Sequence, residues 1–172
     1  PYLYFCCQVV YYLCIRSEKE LKLFKVGNIF PDRKQVLING SDSKTGRDRF
    51  IPLPDEMLKV FKQRKILNYP GDYYVFSAPH RNKFVKNGTP GPEPFGKGFF
   101  SERFSRIRSK MGVDNSFTIY GFKHTRIIHL KLDGVADQDI MSLTGHVSFS
   151  HYLRDLGLTV NAETINNKTR KL

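Results

Sequence analysis

The chain has 172 residues, enough for one domain of ordinary size and too few for two comfortable cores. Lys and Arg outnumber Asp and Glu by 28 to 16, a formal net charge of +12, while 40% of the residues are hydrophobic and 13% aromatic. Those figures exclude a disordered basic tail and favour a folded domain whose partner is a polyanion.

Residues 2–15 are apolar almost all round and predict a helix enclosed by protein. The run is interrupted by Gln8 and falls short of the roughly 20 residues that cross a bilayer, and neither a basic region nor a small-residue cleavage site frames it as a signal peptide. Its Cys6 and Cys7, with Cys14, make an odd set without a second half-site for zinc or a disulfide framework, so they read as reduced core thiols of a cytosolic protein. The sequence opens on Pro1 without a methionine, which suggests a fragment lacking its N-terminal portion.

A polar step, Arg16-Ser17-Glu18-Lys19-Glu20, precedes three short stretches at 26–30, 35–39 and 49–53. Turn-rich segments separate them, and the pattern predicts a small antiparallel meander. Pro54 and Asp55 open a helix to about residue 67, and residues 73–77 form a short strand or an extended segment. Residues 78–98, rich in Pro, Gly and Lys without hydrophobic period, read as a long, mobile, basic loop. Helical spacing returns at 98–111, with Phe100, Phe104 and Ile107 on one side and Arg103, Arg106, Arg108 and Lys110 as the cationic complement. Helices follow at 119–132, closed by Gly134, at 136–144, closed by Gly145, and at 149–156. The whole reads as a mostly helical domain with one small sheet.

No carboxylate cluster suits a two-metal nuclease, no Gly-rich loop cradles phosphates, and no paired Cys/His spacing marks a metal site. Chemistry on a nucleic acid would therefore rest on cations and a side-chain nucleophile. Tyr120 and Lys123 share a face of the 119–132 helix, which is apolar on two sides, through Ile119, Ile127 and Leu130 and through Phe122, Ile128 and Leu132. A lysine rooted there must snorkel out, find a partner or point into a polar site, and snorkelling is the ordinary outcome. His146 follows a helix-ending glycine, where a histidine more often caps or packs than catalyses. Phe149, Tyr152, Leu153 and Leu156 fall at i, i+3, i+4 and i+7, so Tyr152 taken alone is a core tyrosine with its hydroxyl reaching the surface.

The order of these features is more specific than any one of them. Ile15-Arg16 through Glu20-Leu21 with Phe24-Lys25, Ser43-Lys44-Thr45-Gly46 leading to Arg49 and Ile51-Pro52-Leu53, Tyr120 to Thr125, and Leu143-Thr144-Gly145-His146 followed by Tyr152-Leu153-Arg154-Asp155-Leu156 together resemble the catalytic domain of the tyrosine recombinases, the phage-integrase family. The resemblance runs over about residues 2–156. It implies an α+β, mainly helical fold with a small three-stranded antiparallel sheet, a catalytic domain over 1–158, a polar tail over 159–172, and an N-terminal core-binding domain absent from this fragment.

By the same resemblance Arg16 is the first catalytic arginine and Lys44 the hairpin lysine that protonates the leaving 5′ oxygen. Tyr120 and Lys123 stand where the family has the histidine and arginine of His-x-x-Arg, His146 matches the later His or Trp, and Tyr152 is the nucleophile. His124 has a supporting role behind the residues that touch phosphate. Physical chemistry agrees with the assignment: a phenol of pKa about 10 needs cations or a base to favour its anion, and Arg16, Lys123 and His146 are suited to charge building on non-bridging oxygens. The implied reaction is cleavage and rejoining of DNA through a 3′-phosphotyrosine link, without metal, ATP or other cofactor, for integration or excision of a mobile element.

The implied partner is double-stranded DNA, bound by a tetramer of the full-length protein, with the isolated domain a monomer and no membrane involved. The implied setting is the bacterial cytoplasm, at the nucleoid. Sequence-independent phosphate contacts fall to Arg81, Lys83, Lys86 and Lys97 in the basic loop and to Arg103, Arg106 and Arg108 on the helix after it. The sequence departs from the family pattern at three points. Lysine replaces arginine at Lys123, a point charge in place of a planar fork. Arg16 and Glu20 lie one residue farther apart than is common. Tyr152 follows His146 by only six positions, short by about one helical turn, roughly 5 Å, and the expectation is a stretch missing between Ser148 and Tyr152. Other readings are a catalytically degenerate DNA-binding module with an architectural or regulatory role, and an enzyme resembling the type IB topoisomerases.

Overall fold

The structure, a computed structural model, describes residues 2–78 and 89–157. Helix α1 (Tyr2–Leu13) buries Phe5, Cys6, Cys7, Val9, Val10 and Leu13, as its all-round apolarity predicts. It stops earlier than expected because Cys14 takes a left-handed φ of 50°, a conformation a helix cannot continue through. That turn delivers Arg16 to the start of the polar step, and helix α2 (Lys19–Leu23) follows with Glu20 and Leu21 buried. All three cysteines are buried and free.

Strands β1 (Ile29–Phe30), β2 (Gln35–Ile38) and β3 (Arg49–Pro52) form one antiparallel sheet in the order β1-β2-β3. Its register sets Val36 opposite Ile51 and Ile38 opposite Arg49. Opposed residues share a face of the sheet, so Arg49 stands on the core side with these aliphatic residues while Phe50 is turned outward and exposed. The first strand is shorter than predicted, since Val26–Asn28 make a 3₁₀ turn. The cause is a close backbone approach: Gly27 N donates to Gly71 O at 2.8 Å, and a Cβ at Gly27 would lie 2.8 Å from that same oxygen.

Helix α3 (Asp55–Gln63) ends before residue 67 because Lys65 adopts φ 55°, after which Ile66–Asn68 form a 3₁₀ turn. The 73–77 stretch is extended, bridged at Tyr74 to Lys25 and Gly91 and at Ser77 to Pro94. Of the expected 78–98 loop, residues 79–88 lie outside the described residues. Its described part is anchored by Phe95, which is buried and stacked on Phe99 with 3.6 Å between ring centroids.

Helices α4 (Phe99–Lys110), α5 (Gly121–Leu132), α6 (Asp137–Thr144) and α7 (Phe149–Asp155) follow, and the expected polar tail over 159–172 lies outside the described residues. One large core joins α1, the sheet, α3 and the aromatic residues of 95–100, and Phe104 and Phe122 pack against it. A separate small core of Ile127, Ile140 and Tyr152 holds α5, α6 and α7 together. The second apolar side expected on α5 is largely uncovered: Ile128 is 39% and Leu132 78% exposed. No helix among the described residues is long and apolar enough to cross a membrane.

Candidate active site

Glu20 is the hub of the site. Its carboxylate is buried and accepts from four donors: Arg16 N at 2.8 Å, Arg16 Nη1 at 2.7 Å, and Arg49 Nη1 and Nη2 at 3.1 and 2.7 Å. Burial opposes its ionisation, yet the hydrogen bonds and charge of Arg49, and then of Arg16, hold it below the usual carboxylate range. Arg16 keeps a fifth of its side chain open to solvent, whereas Arg49 keeps a tenth. Lys123 does not snorkel. It is fully buried, its Nζ donating to Thr144 O at 2.9 Å and lying 5.8 Å from the centre of the Tyr120 ring. Burial and then the charge of Arg16 push its pKa down to about 8, against the opposing pull of Glu20.

His146 closes the other side. The left-handed Gly145 (φ 72°) ends α6 and turns the chain; His146 Nδ1 then meets Thr144 Oγ1 and Nε2 meets Asp155 Oδ2 at 2.9 Å. Asp155 stays below its usual range although burial raises it, because His146 hydrogen-bonds it and His124 adds charge nearby. His124 Nε2 lies 3.9 Å from Asp155 Oδ1, too far for a hydrogen bond, and the Tyr120 ring packs edge-on against it at 4.8 Å. Burial, then Asp155, raises the Tyr120 hydroxyl's pKa.

Tyr152 is buried, as its spacing predicts, but its hydroxyl does not reach the surface: it donates to Asp137 Oδ1 at 2.5 Å. Asp137 is also paired with Lys131 at 2.7 Å. Burial, and then this bond to a carboxylate, raise the pKa of the phenol far above its ordinary value. The rings of Tyr152 and His146 are 6.0 Å apart. The backbone continues from the Gly145 turn straight into α7, so the short His146–Tyr152 interval leaves the tyrosine in the first turn of that helix. Lys44 is exposed in the segment between β2 and β3, where the sequence reading put it.

Arg16, Lys123 and His146 are thus gathered around α2, α5 and the end of α6, with Lys44 on the adjoining loop. Tyr152 lies beside this group and is engaged elsewhere. Among the residues expected on DNA, Lys97, Arg103 and Arg106 are exposed, with Arg103 over the Phe99 ring at 4.3 Å. Arg108 is committed to its own fold, donating to Asn115 O, Phe117 O and Ser105 Oγ. Arg81, Lys83 and Lys86 lie outside the described residues. Four participants received no role from the sequence: Glu20, Arg49, Asp137 and Asp155. Glu20, Arg49 and Asp155 stand inside the stretches that carry the family resemblance, while nothing local marks Asp137. No group of three or more His, Cys, Asp or Glu side chains fit to hold a metal occurs among the described residues.

No family model and no curated protein matches this sequence. Solved structures do match. The Tn1549 transposon integrase in complex with a circular intermediate DNA superposes with a TM-score of 0.68 at 13% identity, over 96% of this chain and 57% of that one. XerA recombinase does so with 0.65 at 16%, over 98% and 57%. XerH site-specific recombinase bound to its difH substrate, in a pre-cleavage complex, gives 0.64 at 11%, over 96% and 45%. The likeness establishes a tyrosine-recombinase catalytic-domain fold, α+β and mainly helical, and the chain spans about half the length of these proteins.

Proposed function

We propose that this chain is the catalytic part of a site-specific DNA recombinase that cleaves and rejoins duplex DNA through a 3′-phosphotyrosine intermediate. The observation that carries the reading is the pair of guanidiniums, Arg16 and Arg49, on the buried Glu20 carboxylate, with the buried Lys123 beside them. Burying several cations around one carboxylate is costly unless the surplus positive charge meets an anion, and a phosphodiester is the anion that a basic domain of this fold would meet. Structures of similar fold that were solved as DNA complexes support DNA as the partner.

In the proposed reaction the Tyr152 oxygen bonds to phosphorus as its proton passes to solvent water, and the bond from phosphorus to O5′ breaks. Lys44 gives a proton to the departing O5′. Arg16, Lys123 and His146 take the charge that grows on the non-bridging oxygens, which is work that needs no metal or nucleotide cofactor. A second 5′-hydroxyl reverses the step on another strand, so the same chemistry integrates or excises a mobile element. Lys97, Arg103 and Arg106 contribute phosphate contacts, Arg81, Lys83 and Lys86 extend them, and the full-length protein works as a tetramer on DNA.

The catalytically degenerate binding module is favoured by one observation, the engagement of the Tyr152 hydroxyl by Asp137. Trapping on a nicked suicide duplex separates the two. The recombinase forms a covalent adduct that Tyr152→Phe abolishes; a protein that binds the duplex and never forms the adduct is the degenerate module, and an adduct that survives Tyr152→Phe has another nucleophile.

A further inference from the structure

Glu20 is shared by two guanidiniums in unequal situations. Arg49 spends both Nη groups on the two carboxylate oxygens and is walled in on its other side by Gly145, where an added Cβ would come within 3.4 Å of Cζ, Nε and Nη1. Its Nε is buried without a hydrogen-bond partner. So enclosed, Arg49 cannot itself offer a fork to DNA. Arg16 gives the same carboxylate only Nη1 of its side chain and remains partly open, with Nε and Nη2 still able to donate.

Charge gives this division its meaning. Arg16 and Glu20 alone make a neutral pair, and an unopposed carboxylate would draw the whole Arg16 fork onto itself. With Arg49 neutralising Glu20 from behind, Arg16 keeps both its charge and its outward donors for an incoming anion. Arg49 can do this because the register places it opposite Ile38 on the core side of β3, and because Gly145, with no side chain, lets the end of α6 close over the guanidinium.

We infer that Arg49 is a positioning residue of this site: acting through Glu20, it sets the Arg16 guanidinium outward for a DNA phosphate and braces the Gly145–His146 turn. The inference rests on the recombinase reading, because it gives that site one more necessary part. Its direct readout, however, does not need catalysis.

The test follows the Arg16 Nε–H signal by NMR as inorganic phosphate is added to the whole protein. In the wild type the signal shifts with phosphate. In Arg49→Ala the response is lost, and in Arg49→Ala with Glu20→Gln it returns, because the neutral amide no longer captures Arg16. An unchanged response in folded Arg49→Ala overturns the inference, as does a failure of Glu20→Gln to restore it. If Arg49→Ala does not fold, Arg49→Gln carries the test: it removes the charge and keeps a polar side chain, so loss of the phosphate response is expected and a wild-type response overturns the inference.

On the suicide duplex, Arg49→Ala is expected to slow cleavage at saturating DNA by about 10- to 100-fold, the range for outer partners that orient a charged ligand. The half-saturating DNA concentration stays within about threefold, the pattern of an interaction that matters in the transition state. A fall in DNA affinity without a fall in the saturated rate overturns the positioning role. A wild-type protein that forms no adduct overturns the recombinase reading, while the phosphate response still decides the role of Arg49.

Discussion

Around Glu20 the chain gathers charge. Two guanidiniums share one buried carboxylate, a third cation is buried nearby, and the cluster stands at the edge of the large core that unites α1, the sheet and α3. Around Tyr152 the arrangement is reversed. The side chain belongs to a small core of Ile127, Ile140 and Tyr152, and burial, then the carboxylate to which its hydroxyl donates, raises the phenol's pKa. The phosphate-binding half of the proposed site is therefore pre-set in the body of the domain. Tyr152, the proposed nucleophile, sits in a small satellite core, with its oxygen in an environment that disfavours its anion. Attack would require the Asp137 contact to break, and rigidity and reserve are divided between the two regions.

The strongest way to break this contrast is to disarm the charged half. Lys123→Met should slow adduct formation by about 10²- to 10³-fold, as loss of a single transition-state donor does elsewhere, while duplex affinity changes only a few-fold. Equal losses in rate and affinity would mean that Lys123 holds DNA and does not act on the reacting phosphate. Because its pKa is pushed down to about 8, the wild-type rate should fall as pH rises through 8, and Lys123→Arg should remove that fall. The sign for stability is opposite. Between about pH 8 and the unfolded lysine value near 10.4 this site binds more protons in the unfolded chain than in the folded one, so its own contribution to stability rises with pH. Burial holds the thiols of Cys6, Cys7 and Cys14 up, and they act with the opposite sign in that window, so urea titrations should show stability falling less steeply with pH in the wild type than in Lys123→Met.

The satellite half can be released instead. Asp137→Asn removes the carboxylate from the phenol but leaves an amide of the same size. If the contact is a restraint, adduct formation should quicken by about tenfold, the worth of one hydrogen bond to a charged group, and the ultraviolet titration of Tyr152 should move to lower pH. A slower reaction in Asp137→Asn would make Asp137 the base that accepts the phenolic proton, and the two halves would then be one continuous site.

Much of this architecture is legible along the chain. Gly134 and Gly145 end α5 and α6 where their left-handed φ values of 82° and 72° require, and the i, i+3, i+4 spacing finds Tyr152 on the packed face of α7, although Phe149 at its start is 52% exposed. The lysine in an apolar helix is likewise visible, although snorkelling is its ordinary fate and a backbone carbonyl 21 residues away is its actual partner. What escapes the sequence depends on distant pairing. Arg49 reads as one more basic residue near a turn until the β2–β3 register puts it on the core side, 29 residues from the Glu20 it clamps. Asp137 looks like an ordinary acid at a helix start, and only the docking of α7 brings Tyr152 to it. The lost portion of β1 has the same origin: Gly27 yields its strand geometry to Gly71, a neighbour that no local pattern names.

The smallest expected effect concerns the charges outside both halves, and α4 supplies its own control. Arg106 is exposed and free to meet phosphate, whereas two positions on Arg108 ties residues 115–117 to the helix through two carbonyls. Arg106→Gln should lower the slope of log affinity against log salt by about one and leave the melting temperature unchanged. Arg108→Gln should leave the slope alone and lower the melting temperature by a few degrees, roughly the loss of one or two hydrogen bonds in a domain of this size. Since the two substitutions remove the same charge from the same helix, net charge alone predicts identical slopes. A difference confined to Arg106 means that the surplus of positive charge binds DNA through particular side chains, whereas equal slopes mean that it acts as a diffuse field around the whole domain.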